Sequence, residues 1–306
     1  RHSIGHGSFR RDNPQFCIGR PGEQIPAGGI DWAVHHGLDY AYPEVRDHMF
    51  AIITELLERF DIDGAVTIDT PLTTSEIASA SAAISDHLPF REPRYRYGAS
   101  SDFFAQPLLD LIQHPFFEEV AKRVLRADGV KLFQSAIACT YPQPGVEFSF
   151  DQHTDIQYCM SDLQAEPRRM LCSYFLWISD VNDRRAPLMF RPESHLLIGT
   201  EREKNSSTRG VVPTVEGVKM SNLPELPYAD PIPIVAKAGQ VSVLTTSTVH
   251  GASVNLDSEP RTAFIVTFHA SEVEIGLPAN QAEMKHKYDR ELKRRLRPER
   301  LHILAV

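Results

Sequence analysis

Near residue 130 the apolar residues change period, and this change limits the fold more than any other feature of the chain. Upstream, Val45, Met49, Ile52, Ile53, Leu56, Leu57 and Phe60 recur at helical spacing, with Pro43 near the start. They predict an amphipathic helix that Asp63-Gly64 ends. A short strand, Ala65 to Asp69, is then stopped by Pro71. A second helix opens at Thr73 or Thr74, whose hydroxyl can cap free N–H groups, and carries Ile77, Ala80, Ile84 and Leu88. A third starts at Pro115, carries Phe117, Val120, Val124 and Leu125 on one face, and closes at Asp128-Gly129.

Downstream the apolar runs are short and β-like: Val130 to Thr140, Met170 to Val181, Pro187 to Arg191, Ile232 to Ala236, Val241 to Thr246 and Thr262 to His269. Pro, Gly, Asn and Asp separate them. Helices followed by a run of strands predict an α+β, mainly β domain built as a sheet sandwich or barrel. Leu197 to Pro231 reads as a long irregular insertion, and loops of that length are commonly lids. The charged stretch from Asn280 to Arg300 predicts a solvated helix.

The chain has 306 residues, 42% of them hydrophobic, enough for a sizeable core. A formal charge of −8 argues against a nucleic-acid surface. No apolar run reaches the ~18 residues that span a bilayer, and Arg1 to Asp12 lack the apolar core of a signal peptide. Cys17, Cys139, Cys159 and Cys172 form no C-x-x-C pair and read as reduced thiols. Together these features predict a cytoplasmic protein with neither nucleic-acid nor membrane partners.

One segment carries chemistry: Phe150-Asp151-Gln152-His153-Thr154-Asp155. On an extended strand, residues i and i+2 share a face, so the imidazole of His153 and the carboxylate of Asp155 converge. His250 follows a strand-like run and is a candidate third ligand. Two histidines and one carboxylate make the facial triad that suits non-heme Fe(II). An isolated H-x-D is common by chance, and an isolated histidine is more often a hydrogen-bonded core residue. Arg261 strengthens the group. It lies eleven positions after His250, and a turn over Asn255 to Pro260 would make the two strands antiparallel neighbours. A buried guanidinium there needs an anion, and its fork matches a carboxylate. A surface salt bridge is the alternative for Arg261 taken alone.

His153-Thr154-Asp155, Ala186 to His195, Ala238-Gly239-Gln240-Val241-Ser242-Val243, His250-Gly251 and Arg261 together resemble the phytanoyl-CoA dioxygenase family. The opening Phe60-Asp61-Ile62-Asp63-Gly64-Ala65-Val66 is similar as well. The resemblance spans about residues 60–275 and implies a double-stranded β-helix (jelly-roll, cupin-like) core with flanking helices. It also implies an Fe(II)- and 2-oxoglutarate-dependent dioxygenase acting on a small-molecule substrate, with O2 as oxidant and release of succinate and CO2. His153, Asp155 and His250 would then be the metal and catalytic residues, and Arg261 would hold the far carboxylate of 2-oxoglutarate. Gln134, Thr140 and Phe175 join Arg261 as candidate cofactor-binding residues, with Tyr141 and Trp177 nearby; ordinary sheet packing is the alternative for each. Asp155 sits where related halogenases have a small residue, which favours hydroxylation. The sequence departs from the family at Pro192-Glu193-Ser194-His195, where glycine is usual in the second position, and at Thr154. His195 competes as third ligand, but it follows Pro192 in an expected turn and has no arginine at strand spacing behind it. A cupin-like metal-binding protein without oxygenase activity is the alternative function.

Residues 1–59 fall outside that resemblance and form an N-terminal extension ahead of an oxygenase domain at 60–306. Gly37 to Asp47, followed by Phe60 to Gly64, resembles a fragment of a glycosidase-like (β/α)-barrel family. Such a barrel needs about 250 residues, so none can close here. The start at Arg1 fits either a helical extension or a fusion remnant.

Overall fold

The computed structural model describes residues 59–90, 95–155, 171–204, 213–214, 217–220, 223–273, 277 and 279–305. The predicted helix before residue 59 and the barrel-like fragment lie outside the described residues. Arg59–Val306 form one compact unit.

Among the described residues, twelve strands follow in chain order: β1 (Ala65–Ile68), β2 (Arg96–Ser100), β3 (Val130–Thr140), β4 (Thr154–Asp155), β5 (Leu171–Trp177), β6 (Leu188–Phe190), β7 (Pro213–Thr214), β8 (Gly217–Met220), β9 (Ile232–Pro233), β10 (Val241–Thr245), β11 (His250–Ala252) and β12 (Arg261–Ala270). Six of them form an antiparallel sheet in the order β1-β10-β5-β12-β3-β2. Two smaller sheets, β11-β6-β9 and β4-β8-β7, are joined by backbone bridges between His153 and His250 and between Phe150 and Ser253. The result is a jelly-roll sandwich.

Alternation along the strands decides which residues face the interior. Trp177, Leu244, Ala263 and Ala65 of the large sheet pack against Leu188 and Phe190 of the small one. The opposite face of the large sheet carries Tyr174, Phe264 and Phe268. A helix at Pro115–Leu125 and the segment before Gln106 cover it: Phe117 of that helix meets the Tyr174 ring edge-on at 5.7 Å, and Phe103 meets Phe264 at 5.8 Å.

Among the described residues the α-helices are α1 (Thr74–His87), α2 (Gln106–Ile112), α3 (Pro115–Leu125), α4 (Ser194–Lys204) and α5 (Ala279–Lys293). Thr73 caps α1 in a capping box with Glu76, worth about 1 kcal/mol. Among the described residues, no helix is long and apolar enough to cross a membrane.

Three expectations change. The stretch from Leu197 to Pro231 is only partly irregular: α4 occupies its start, and the β7–β8 hairpin extends the small sheet. The C-terminal helix α5 is docked rather than solvated. Tyr288, Asp289 and Leu292 are buried, and the Tyr288 hydroxyl lies 2.6 Å from Ser135 Oγ on β3. Finally, β11 and β12 are not sheet neighbours: β11 pairs with β6, whereas β12 pairs with β3 and β5. The connection crosses from one sheet to the other, held by Asn255, whose Nδ2 donates to the carbonyls of Thr140 and Glu259. An intact hairpin and a sheet-to-sheet corner use the same turn residues, so local sequence does not separate them.

Candidate metal centre

His153 and His250 exchange both backbone hydrogen bonds, each 2.9 Å, as a bonded antiparallel pair. Their side chains therefore lie side by side, with ring centroids 4.5 Å apart. Asp155, two residues on, returns to the same side. His153 Nε2 lies 3.7 Å from Asp155 Oδ1, and His250 Nε2 lies 3.9 Å from Asp155 Oδ2. One ligand atom from each of the three residues falls within 4.8 Å of the others, the only such group of three among the described residues. Donors about 2.1 Å from a shared ion sit ~3–4 Å apart, so the set fits a metal with small closure.

The tautomer of His250 also fits. Its Nδ1 is 2.8 Å from the Thr248 carbonyl, which can only accept, so Nδ1 carries the proton and Nε2 presents its lone pair. His250 is buried, and the side chain of Asp155 is 32% exposed, so the group opens to one side. Gly251 is required by close approach: an added Cβ would lie 1.4 Å from the Asp151 carbonyl oxygen. That contact brings β11 against the segment carrying His153.

Arg261 begins β12 and is 3% exposed. Its Nε donates to the Ala186 carbonyl at 3.1 Å, and its guanidinium lies 5.8 Å from the Trp177 ring centroid. Among the described residues it has no carboxylate partner. Burial pulls its pKa down to about 10, and the charge of Arg96 adds to the pull. It remains a cation at neutral pH. A buried, uncompensated guanidinium is costly, and an anionic ligand would relieve it.

The other predicted residues separate. Thr140 stands opposite Arg261 in register, and Phe175 meets the His250 ring edge-on at 6.4 Å. Gln134 stands opposite Thr267, six positions along β3 from Thr140 and roughly 20 Å away at the usual strand rise. Trp177 stacks on Phe175 and donates its indole N–H to Ser242 Oγ at 2.8 Å. Tyr141 instead joins Phe90 and Tyr97 in an aromatic cluster. His195 lies in α4 rather than in a turn, because the turn closes at Glu193 (φ 62°) and Ser194 already starts the helix. Its Nε2 is 3.0 Å from the Asp61 carbonyl, and it is not in the metal-ligand group.

Sequence reasoning missed Arg96. Its guanidinium pairs with Asp151 at 3.1 Å and donates to the Ala252 carbonyl, tying β2 of the large sheet to both segments of the small sheet that carry the histidines. Nothing local marks it, since β2 itself was not legible.

Residues 60–263 match the phytanoyl-CoA dioxygenase (PhyH) family. The chain belongs to that family. No curated protein matches it in sequence. Solved structures with the same fold include the epimerase SnoN in complex with Fe3+, alpha ketoglutarate and nogalamycin RO. That likeness has a TM-score of 0.55 and 17% identity, covering 77% of this chain and 90% of that one. The carbocyclase SnoK from nogalamycin biosynthesis gives 0.53 and 16%, covering 76% and 89%. EctD from S. alaskensis, with 2-oxoglutarate and 5-hydroxyectoine, gives 0.50 and 16%, covering 72% and 77%. At these identities the likeness establishes the jelly-roll fold; the site of this PhyH-family chain rests on its own residues.

Proposed function

We propose that this chain is an Fe(II)- and 2-oxoglutarate-dependent oxygenase that hydroxylates a small molecule. The observation that carries the reading is the convergence of His153, Asp155 and His250 donors within 4.8 Å in a PhyH-family jelly roll. His153 Nε2, an Asp155 carboxylate oxygen and His250 Nε2 would hold the metal, leaving its other positions for co-substrate and dioxygen. Fe(II) with 2-oxoglutarate, when bound, supplies the oxidising power, with succinate and CO2 as co-products. Arg261 would bind the far carboxylate of 2-oxoglutarate, with its guanidinium 5.8 Å from the Trp177 ring centroid. Thr140, opposite Arg261, and Phe175, against His250, would wall the co-substrate, and Gln134 extends the same inner face. Asp155 fills the carboxylate position, which supports hydroxylation over halogenation.

Anaerobic addition of Fe(II) and 2-oxoglutarate should give a weak visible charge-transfer band that His153→Ala lacks. Absence of both band and 2-oxoglutarate binding in the natural chain would sink the reading. Proteins named for epimerisation and carbocyclisation share the fold. The reaction type is therefore tested separately: hydroxylation places one oxygen-18 from labelled dioxygen in the product, and epimerisation places none. A metal-binding protein without oxygenase activity would show metal uptake that Arg261→Met leaves unchanged, with no 2-oxoglutarate turnover.

A further inference from the structure

Two sequence motifs remain unexplained by the metal-ligand set, Asp63-Gly64 and Pro192 to His195. In the structure both reach the turn that delivers His250. That turn joins β10 to β11 through Thr246, Ser247, Thr248 and Val249. Thr248 is fully buried, and its Oγ1 donates to the Gly64 carbonyl at 2.7 Å. The same carbonyl accepts the Thr245 N–H at 3.2 Å. Thr248 N–H returns to the Thr245 carbonyl at 3.2 Å, and the two threonine hydroxyls lie 3.0 Å apart. On the other flank, Ser194 Oγ accepts the Val249 N–H at 2.8 Å and donates to the Arg191 carbonyl at 2.6 Å. Ser194 and Val249 are also fully buried.

The turn is therefore fixed by two buried hydroxyls, one on each side, and its output is the Thr248 carbonyl that receives the Nδ1 proton of His250. Gly64 is part of the device. It has φ +80°, and an added Cβ would lie 2.5 Å from both Thr248 Oγ1 and His195 Nδ1. Only glycine allows the chain to bring a carbonyl to Thr248 in that conformation.

We propose that Thr248 and Ser194 are positioning residues, which hold the His250 ring so that Nε2 faces Asp155 and His153. Neither touches the metal. Both act through the backbone on either side of one peptide, Thr248–Val249, whose carbonyl sets the ring's tautomer and rotation. This inference rests on the metal-centre reading above. It assigns the two family-like motifs to building the third ligand rather than to chemistry.

The test is anaerobic titration of metal-free protein with Fe(II) and with Co(II), read as dissociation constant and visible spectrum. Thr248→Val is nearly isosteric and replaces the hydroxyl with a methyl that cannot donate to the Gly64 carbonyl. It should weaken metal binding about 10–100-fold, the usual effect of losing an outer-shell partner, and shift the Co(II) bands. Thr248→Ser restores the hydroxyl and should bind within about threefold of the natural chain, which a purely steric role would not produce. Ser194→Ala should weaken binding in the same direction, and it stands in if Thr248→Val does not fold. Folded Thr248→Val and Ser194→Ala proteins with natural metal affinity and spectra would overturn the proposal. So would a Thr248→Ser protein as weak as Thr248→Val, or loss of the fold in both deletion variants. If the natural chain itself binds neither ion, the metal-centre reading fails instead.

Discussion

Replacing Arg261 with methionine separates binding from folding, because the expected loss of binding far exceeds any loss of stability. Arg261 is 3% exposed and holds its charge against carbonyls and an indole face, with no carboxylate partner among the described residues. In the ligand-free protein a buried, unpaired cation costs several kcal/mol, offset in part by the cation–π contact, worth up to ~2 kcal/mol, and by the bond to Ala186. Methionine keeps the packing against Trp177 and removes the charge. The metal-free protein should therefore lose no more than about 1 kcal/mol and can gain. The loss of binding is larger. Removing one partner of a buried charge pair costs about 2–5 kcal/mol, so 2-oxoglutarate affinity should fall at least ~30-fold. The assays are urea melts of metal-free protein and anaerobic titration of the Fe(II) form with 2-oxoglutarate. An unchanged affinity would refute the role, and a loss above ~3 kcal/mol in the melts would show that the guanidinium is a structural ion instead.

Gly251→Ala places a Cβ 1.4 Å from the Asp151 carbonyl oxygen, so β11 must separate from the His153 segment. Stability should drop by about 3 kcal/mol or more and metal binding should be lost, checked by thermal melting and Fe(II) titration. His250→Ala should retain the fold and abolish metal binding, since it removes one of three donors; a natural dissociation constant would exclude His250 as a ligand. Glu118, 4% exposed, gives an acid limit. Burial works to raise its pKa, but hydrogen bonds from Lys122 and His302 and the charge of Arg300 outweigh it and hold the carboxyl at about 2. The unfolded carboxyl takes its proton first, near 4.5, so the stabilisation is full above that pH and is lost as pH falls toward 2. Glu118→Gln should flatten that part of a stability-against-pH curve, with ~2 kcal/mol at stake once solvent screening is allowed for.

Much of the scaffold was legible because it depends on local signals. The Thr73 cap, Pro115 at a helix start, and the limits of β3 follow from single residues and from periods of 3.6 and 2. The strand β2 and helix α2 were not, since the one alternates around glycine and alanine and the other is only seven residues long. In the site, His153 and Asp155 were legible as a pair because their spacing alone puts them on one face.

Sequence by itself determined which residues were candidate donors for a divalent ion, His153, Asp155 and His250, and where the longer strands such as β3 and β12 lie. Only the tertiary structure decided how distant parts meet. It set His250 against His153 through a bridge between segments nearly a hundred residues apart, and placed Arg261 on the sheet opposite β11. It also recruited Gly64, Ser194 and Thr248 to one buried turn. The reason is physical. Spacing along a strand fixes direction within one element, whereas which carbonyl a buried hydroxyl reaches depends on how two sheets and a helix pack, and no local period records that.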